Sequence, residues 1–327
     1  MGASRGPSLT VLTHDLPVGF KAPGAVARRL RLRVDQVTGR RRYGGHPGVT
    51  GSLLRGLTAL GVPHNYNPRR LRDVSHNVVV LGGSQALHRA ILLKRNGSIE
   101  RLLAGPNVVV SPRDAGGILS DPAIDLVLTP SDWVASCYLR QDPALEGRCV
   151  VWAAGVDPSY WSPATVCSGK RILLYVKGQE LSPKVRYMAQ ECSSIARKAG
   201  FEIRELVYGD YTTSEYRSLL RSSVLMVVVS GSESQGLAIA EAWSVGIPTF
   251  VWANTHGIAK SPCPEASAAP YLTPETGSFF NGLAEFEELL TSWSLTGSSF
   301  DPRRVIEERF TDEVSAAALC SLLVSSL

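Results

Sequence analysis

Short runs of Val, Ile and Leu alternate with helix-like stretches along most of this chain, and that alternation limits its fold more than any other feature. In the first half, Leu9–Leu12, Val78–Leu81, Val108–Val110, Leu126–Leu128 and Val150–Trp152 read as strands. Val49–Leu60 and Leu87–Lys94 read as helices between them, stopped by Gly61 and near Gly97. Turn formers and two prolines then gather in Gly155-Val156-Asp157-Pro158-Ser159-Tyr160-Trp161-Ser162-Pro163, where a domain should end. The pattern restarts with strands at Arg171–Val176, Ile203–Tyr208, Val224–Val229 and Pro248–Trp252, and helices at Lys184–Ala199, Ser214–Ser222 and Leu237–Val245. The unbroken apolar run Val224–Val229 suits a strand buried on both faces, as in a parallel sheet. Two such α/β repeats predict two doubly wound, Rossmann-like domains, 1–157 and 158–300, facing a cleft at the carboxyl ends of their strands.

Composition narrows the setting. A hydrophobic content of 44% suits a globular chain with full cores, and the longest apolar runs are far short of the ~20 residues of a membrane helix. The opening segment has no long apolar stretch of a secretory signal, and Gly6 stands where a myristoylation motif needs Ser or Thr. Six cysteines without C-x-x-C pairs read as reduced thiols of a cytoplasmic protein, with neither a metal site nor a disulfide frame. Charge is uneven. Residues 1–158 hold 20 Lys and Arg against 11 Asp and Glu, and the rest hold 14 against 18, so the basic excess lies entirely in the first half. It concentrates in Arg28–Arg42, where Val26, Leu30, Val34 and Val37 recur at roughly helical spacing, as in a helix resting on an anionic membrane surface or packed in its own domain. No nucleic-acid-binding motif accompanies it, so nucleic acid is not an expected partner.

Chemistry concentrates in Ser230-Gly231-Ser232-Glu233-Ser234-Gln235-Gly236-Leu237-Ala238-Ile239-Ala240-Glu241-Ala242-Trp243. This segment leaves a buried strand, passes through small residues and enters a helix. The first turn of such a helix offers free N–H groups and a positive dipole end, which suit a diphosphate, and Gly236 permits close approach. Glu233 at the helix mouth and Glu241 two turns in are on the order of 12 Å apart at ~1.5 Å per residue. Carboxylates that far apart do not share a proton, but they can hold opposite ends of an elongated ligand such as a nucleotide sugar.

The E-x7-E spacing of Glu233 and Glu241, trailed by Ala-Trp-Ser-Val-Gly-Ile-Pro-Thr-Phe-Val, resembles the donor signature of retaining GT-B glycosyltransferases, above all glycosyltransferase family 4. By that resemblance Glu233 contacts the transferred sugar, Glu241 holds the nucleotide ribose, and the backbone around Ser234, Gln235, Gly236 and Leu237 receives the diphosphate. Lys177, in Val176-Lys177-Gly178, and Lys184 are similar to the family's Arg/Lys pair that neutralises that diphosphate. Lys177 stands where arginine is commoner and lacks the bidentate fork. Gly44-Gly45 before a helix resembles the acceptor-side glycine loop, and Gly155-Val156-Asp157 with Tyr160-Trp161-Ser162-Pro163 resembles the interdomain segment. The stretch 301–327, opened by Phe300-Asp301-Pro302-Arg303, looks like the terminal helix that crosses back onto the first domain.

The resemblance implies a hexosyl transfer from a UDP- or GDP-linked donor to a hydroxyl acceptor, with retention of configuration. Among the first-half histidines His14, His46, His64, His76 and His88, the last is taken as the acceptor-side candidate, with His46 beside Gly45 next. No D-x-D is present, so no divalent ion is expected to hold the diphosphate, and no cofactor is expected beyond the donor itself. Neither a zinc-ligand spacing, a G-x-S-x-G elbow nor a G-x-x-x-x-G-K-[ST] loop occurs. A nucleotide-sugar epimerase on the same frame and a non-catalytic nucleotide-sugar-binding module are the alternatives.

Overall fold

The computed structural model of the chain describes residues 9–13, 45–164, 169–178, 182–253, 263–296 and 299–324. Arg28–Arg42, His14 and Gly44 lie outside them, as does Cys167. The described chain divides into two compact units, with the boundary between Gly155 and Val156.

The first unit holds β1 (Leu9–Leu12), α1 (Gly45–Ala59), β2 (His64–Tyr66), β3 (Asn77–Gly82), α2 (Ser84–Arg95), β4 (Arg101–Asn107), β5 (Leu126–Thr129), α3 (Asp132–Gln141) and β6 (Cys149–Val151). All its strands pair in parallel, in the order β2-β1-β3-β4-β5-β6. One strand departs from the sequence expectation: the chain is extended over β4, not over Val108–Val110, and Val110 is 92% exposed. Gly105-Pro106 looks like a turn in sequence, yet it lies inside the strand. A Cβ on Gly105 would stand 2.2 Å from the Leu128 carbonyl oxygen, so only glycine lets β5 approach there.

The second unit holds β7 (Arg171–Lys177), α4 (Pro183–Lys198), β8 (Glu202–Val207), α5 (Thr213–Arg221), β9 (Leu225–Ser230), α6 (Leu237–Ser244), β10 (Thr249–Trp252), β11 (Gly277–Phe280), α7 (Leu283–Thr296) and α8 (Pro302–Arg309). Its sheet is also parallel throughout, in the order β11-β10-β9-β7-β8. The strand period of two sorts the side chains of β7 and β9 between the faces. Leu173, Tyr175, Met226 and Val228 pack with α5 and α6, whereas Ile172, Leu174, Val176, Leu225, Val227 and Val229 pack with α4 and α7. Both faces are covered, which is why these strands are continuous apolar runs and not alternating ones.

The single helix expected over 301–327 is two: α8 in the second unit, then Asp312–Val324 grouped with the first. Asp301 caps α8 by accepting from the Arg304 N–H, and Phe310 leaves helical geometry. There the Phe310 carbonyl accepts from the Val156 N–H and Thr311 bridges Val156, so strand-like pairing interrupts the helix. Within the first unit, Asp312 pairs with Arg55 of α1 at 2.6 Å, and the Trp152 indole donates to the Ser315 carbonyl at 2.9 Å. Among the described residues, Cys149, Cys192 and Cys320 are free thiols, but Cys137 and Cys263 are disulfide-bonded, which corrects the reading of every cysteine as reduced. No described helix is long and apolar enough to cross a membrane.

Candidate functional site

The carboxyl edge of the second sheet gathers the chemistry. β8, β7 and β9 are neighbours, and they end on Val207, Lys177 and Ser230. The register places Lys177 opposite Ser230, so the chain leaving β9 begins beside the lysine. Three residues later the Glu233 N–H donates to the Ser267 carbonyl at 2.8 Å, which fixes the loop before α6 begins. Its side chain then turns back to the sheet. Glu233 Oε2 accepts from Lys177 Nζ at 2.7 Å, an ion pair whose carboxylate is buried and whose ammonium is partly exposed.

Burial raises the Glu233 carboxyl above its ordinary pKa, while the Lys177 ammonium, by its charge and its hydrogen bond, pulls it back. Behind it stand Tyr175, Tyr211 and Tyr216, whose phenol pKa values burial also raises. The Tyr216 hydroxyl donates to the Ala238 carbonyl in the first turn of α6 at 2.5 Å and so ties that turn to α5.

Gly236 precedes α6 with φ +80°, a left-handed conformation that glycine adopts without strain. No side chain caps the helix start. The orphan N–H groups of this first turn therefore offer an anion site together with the dipole. Further along, Glu241 is only 5% exposed, and its Oε2 has no hydrogen-bond partner among the described residues. Burial alone pushes its pKa well above the usual carboxylate range. A helix that positions a buried acceptor in this way carries an uncompensated desolvation cost of several kcal/mol for the charged form, which an incoming hydroxyl donor would relieve. The far end of α6 is held by Arg303 of α8, which donates to the Ser244 carbonyl at 2.7 Å.

The other residues singled out from the sequence are divided between the two units. Gln235 is buried and Ser234 exposed in the loop before α6, and Leu237 opens the helix. Lys184 lies in the first turn of α4 with its ammonium 5.2 Å from the ring centroid of Trp252, at the end of β10. Gly45 is the first residue of α1, whose residues from His46 onward belong to the other unit. His88 belongs to the first unit, exposed on α2 and five residues into the helix. Sequence reasoning does not reach Ser267 or Tyr216, and it names Arg303 only as part of the terminal segment, since all three act through tertiary contacts.

No protein-family profile matches the sequence, and no curated protein does. Solved structures match in fold. A glycosyltransferase from Rickettsia africae superposes with a TM-score of 0.56 at 12% identity, over 98% of this chain and 98% of its own. Anabaena HepE, solved in complex with UDP and glucose, gives 0.54 at 12% identity over 98% of this chain and all of its own. The sucrose-phosphate synthase of Thermosynechococcus elongatus gives 0.53 at 12% identity, covering 97% and 98%. The chain has the GT-B fold of glycosyltransferases, built from two parallel-sheet α/β units.

Proposed function

We propose that the chain is a glycosyltransferase that moves a hexosyl group from a UDP- or GDP-linked donor to a hydroxyl acceptor, with retention and without a metal ion. The carrying observation is Glu241, a buried carboxyl oxygen lacking a partner among the described residues, on a helix whose uncapped start leads back to the Lys177–Glu233 ion pair. A ribose offers paired hydroxyl donors to such an acceptor. The first-turn N–H groups of α6, with Gln235 and Gly236 before them, suit a diphosphate. Lys177 and Lys184 bring cationic charge to the same sheet edge, and Glu233 then faces the sugar beyond. HepE, a protein of the same fold, was solved in complex with UDP and glucose, which supports a nucleotide-sugar donor.

In the step so assigned, the bond from the anomeric carbon to the diphosphate oxygen breaks. A bond to the acceptor oxygen forms on the same face, and the acceptor proton passes to the departing phosphate. Lys177, Lys184 and the helix start stabilise the charge on the leaving group. His88, with Gly44-Gly45, is proposed on the acceptor side.

A panel of UDP- and GDP-sugars incubated with the protein, read by mass spectrometry, tests the reading. We expect one donor to be consumed with release of its nucleoside diphosphate, and turnover to persist in EDTA. Loss of activity in EDTA that Mg²⁺ or Mn²⁺ restores would place the chemistry in a metal-dependent class. Interconversion of the free nucleotide sugar would mark an epimerase, and tight binding without turnover a non-catalytic module.

Arg28–Arg42 adds a proposal about location: a cytoplasmic protein peripheral to an anionic membrane face, each basic residue near the surface contributing ~1 kcal/mol. The full chain is expected to sediment with anionic vesicles in low salt and to leave them in high salt. Equal absence from anionic and neutral vesicle pellets retires the idea.

A further inference from the structure

Lysine is a poor positioning charge by itself, being a compact ammonium on a flexible four-carbon stem, without the planar fork by which arginine grips two oxygens. At Lys177 the structure supplies what the side chain lacks. Parallel pairing of β7 with β8 sets Val176 opposite Val207, and the Tyr208 N–H donates to the Val176 carbonyl at 2.9 Å. The next residues on the two strands, Lys177 and Tyr208, thus emerge side by side at the carboxyl edge. The Lys177 ammonium lies 4.6 Å from the centroid of the Tyr208 ring, while on its β9 side it donates to Glu233 at 2.7 Å. The ring quadrupole attracts the ammonium across its face and the Glu233 carboxylate attracts it from the β9 side, so the flexible stem is held between two partners.

We infer that Tyr208 is a positioning residue for the proposed transfer, its ring face holding the Lys177 ammonium against Glu233 and toward the leaving diphosphate. This rests on the glycosyltransferase reading above. The aromatic face does the positioning and the phenol hydroxyl does not, so Tyr208→Phe should behave as wild type and Tyr208→Leu should not. A cation–π contact of ordinary strength corresponds to a loss of ~3- to 30-fold in kcat for Tyr208→Leu. The acceptor KM should stay unchanged if Tyr208 acts on the donor side alone, through Lys177. A guanidinium has its own fork, so the same substitution made on Lys177→Arg should cost about twofold or less.

Two readouts test this together. In the first, kcat and KM are measured for Tyr208→Phe, for Tyr208→Leu, and for Tyr208→Leu combined with Lys177→Arg. Equal losses with lysine and arginine at position 177, or a loss in Tyr208→Phe matching that in Tyr208→Leu, overturn the inference in favour of a general packing role. In the second, the lysines of the full-length protein are reductively methylated with ¹³C, and the Lys177 signal is identified by its absence from Lys177→Arg. Its methyl resonance should carry a ring-current shift that survives in Tyr208→Phe and vanishes in Tyr208→Leu. A resonance that Tyr208→Leu leaves in place overturns the contact itself. A wild-type protein that turns over no nucleotide sugar defeats the functional reading, and the resonance still decides whether Tyr208 holds Lys177.

Discussion

Glu233→Gln is expected to lower turnover by ~100-fold or more while free UDP or GDP binds nearly as before. The substitution keeps the shape of the side chain and removes its charge. That charge is held where the proposed mechanism needs it: on a buried side chain in the loop after β9, fixed by the Glu233 N–H to Ser267, and paired with Lys177 at 2.7 Å. As the donor bond breaks, positive charge develops on the sugar ring, so a carboxylate facing that ring contributes more in the transition state than in the ground state. A ~100-fold loss equals ~2.7 kcal/mol of transition-state stabilisation. The pH profile gives an independent reading. Burial raises the Glu233 pKa, and the ionised form is the active one, so the wild-type rate should fall on the acid side through a pKa above the ordinary carboxylate value of ~4.3. Glu233→Gln should lack that acid limb. A wild-type rate in Glu233→Gln, measured with the true donor and acceptor, removes the main support for the site.

The parts of the fold legible in the sequence are those whose physics is local. Strands buried on both faces, such as β7 and β9, announce themselves as apolar runs, and amphipathic helices such as α4 and α5 as periodic ones. β4 escapes a local reading because Gly105-Pro106 has the look of a turn, and the reason for glycine there is a neighbouring strand that only the folded sheet supplies. β2, with the sequence His64-Asn65-Tyr66, and β11, with Gly277-Ser278-Phe279-Phe280, carry too few apolar residues to stand out and are held by pairing at the sheet edges.

The candidate site divides in the same way. Glu233, Gly236 and Glu241 lie in one strand–loop–helix motif and can be read together. Lys177 and Glu233 each stand out in sequence, but their ion pair joins residues 56 apart and depends on strand order β7-β9. Tyr208 reads only as the end of a strand until the register sets it beside Lys177. The disulfide state of Cys137 and of Cys263 is hidden because no local cysteine spacing reports it.

Glu241 joins two expectations of opposite sign. Removing its carboxyl in Glu241→Ala deletes a charged hydrogen bond to the nucleotide, which at ~1.5–3 kcal/mol should weaken binding of the correct free nucleotide by about one to two decades. Calorimetry with UDP and GDP measures it, and unchanged affinity for both sinks the ribose assignment. The same group should burden the ligand-free fold. Its folded pKa is raised well above the unfolded value by burial, so above pH ~4.3 the folded chain retains a proton that the unfolded chain has released. Stability from this group therefore falls as pH rises from the unfolded pKa toward the folded one, the reverse of a salt-bridged carboxylate. Glu241→Gln keeps the volume and cannot ionise. It should melt at a higher temperature than wild type at pH 8, with the gain shrinking steadily as pH is lowered toward ~4.3. Nucleotide added to wild type should narrow the difference, because hydroxyl donors stabilise the ionised carboxylate, and binding should release a proton that shows as a buffer-dependent enthalpy. A melting difference independent of pH would mean that Glu241 is compensated in the free protein, and the buried acceptor would then have no need of a ribose.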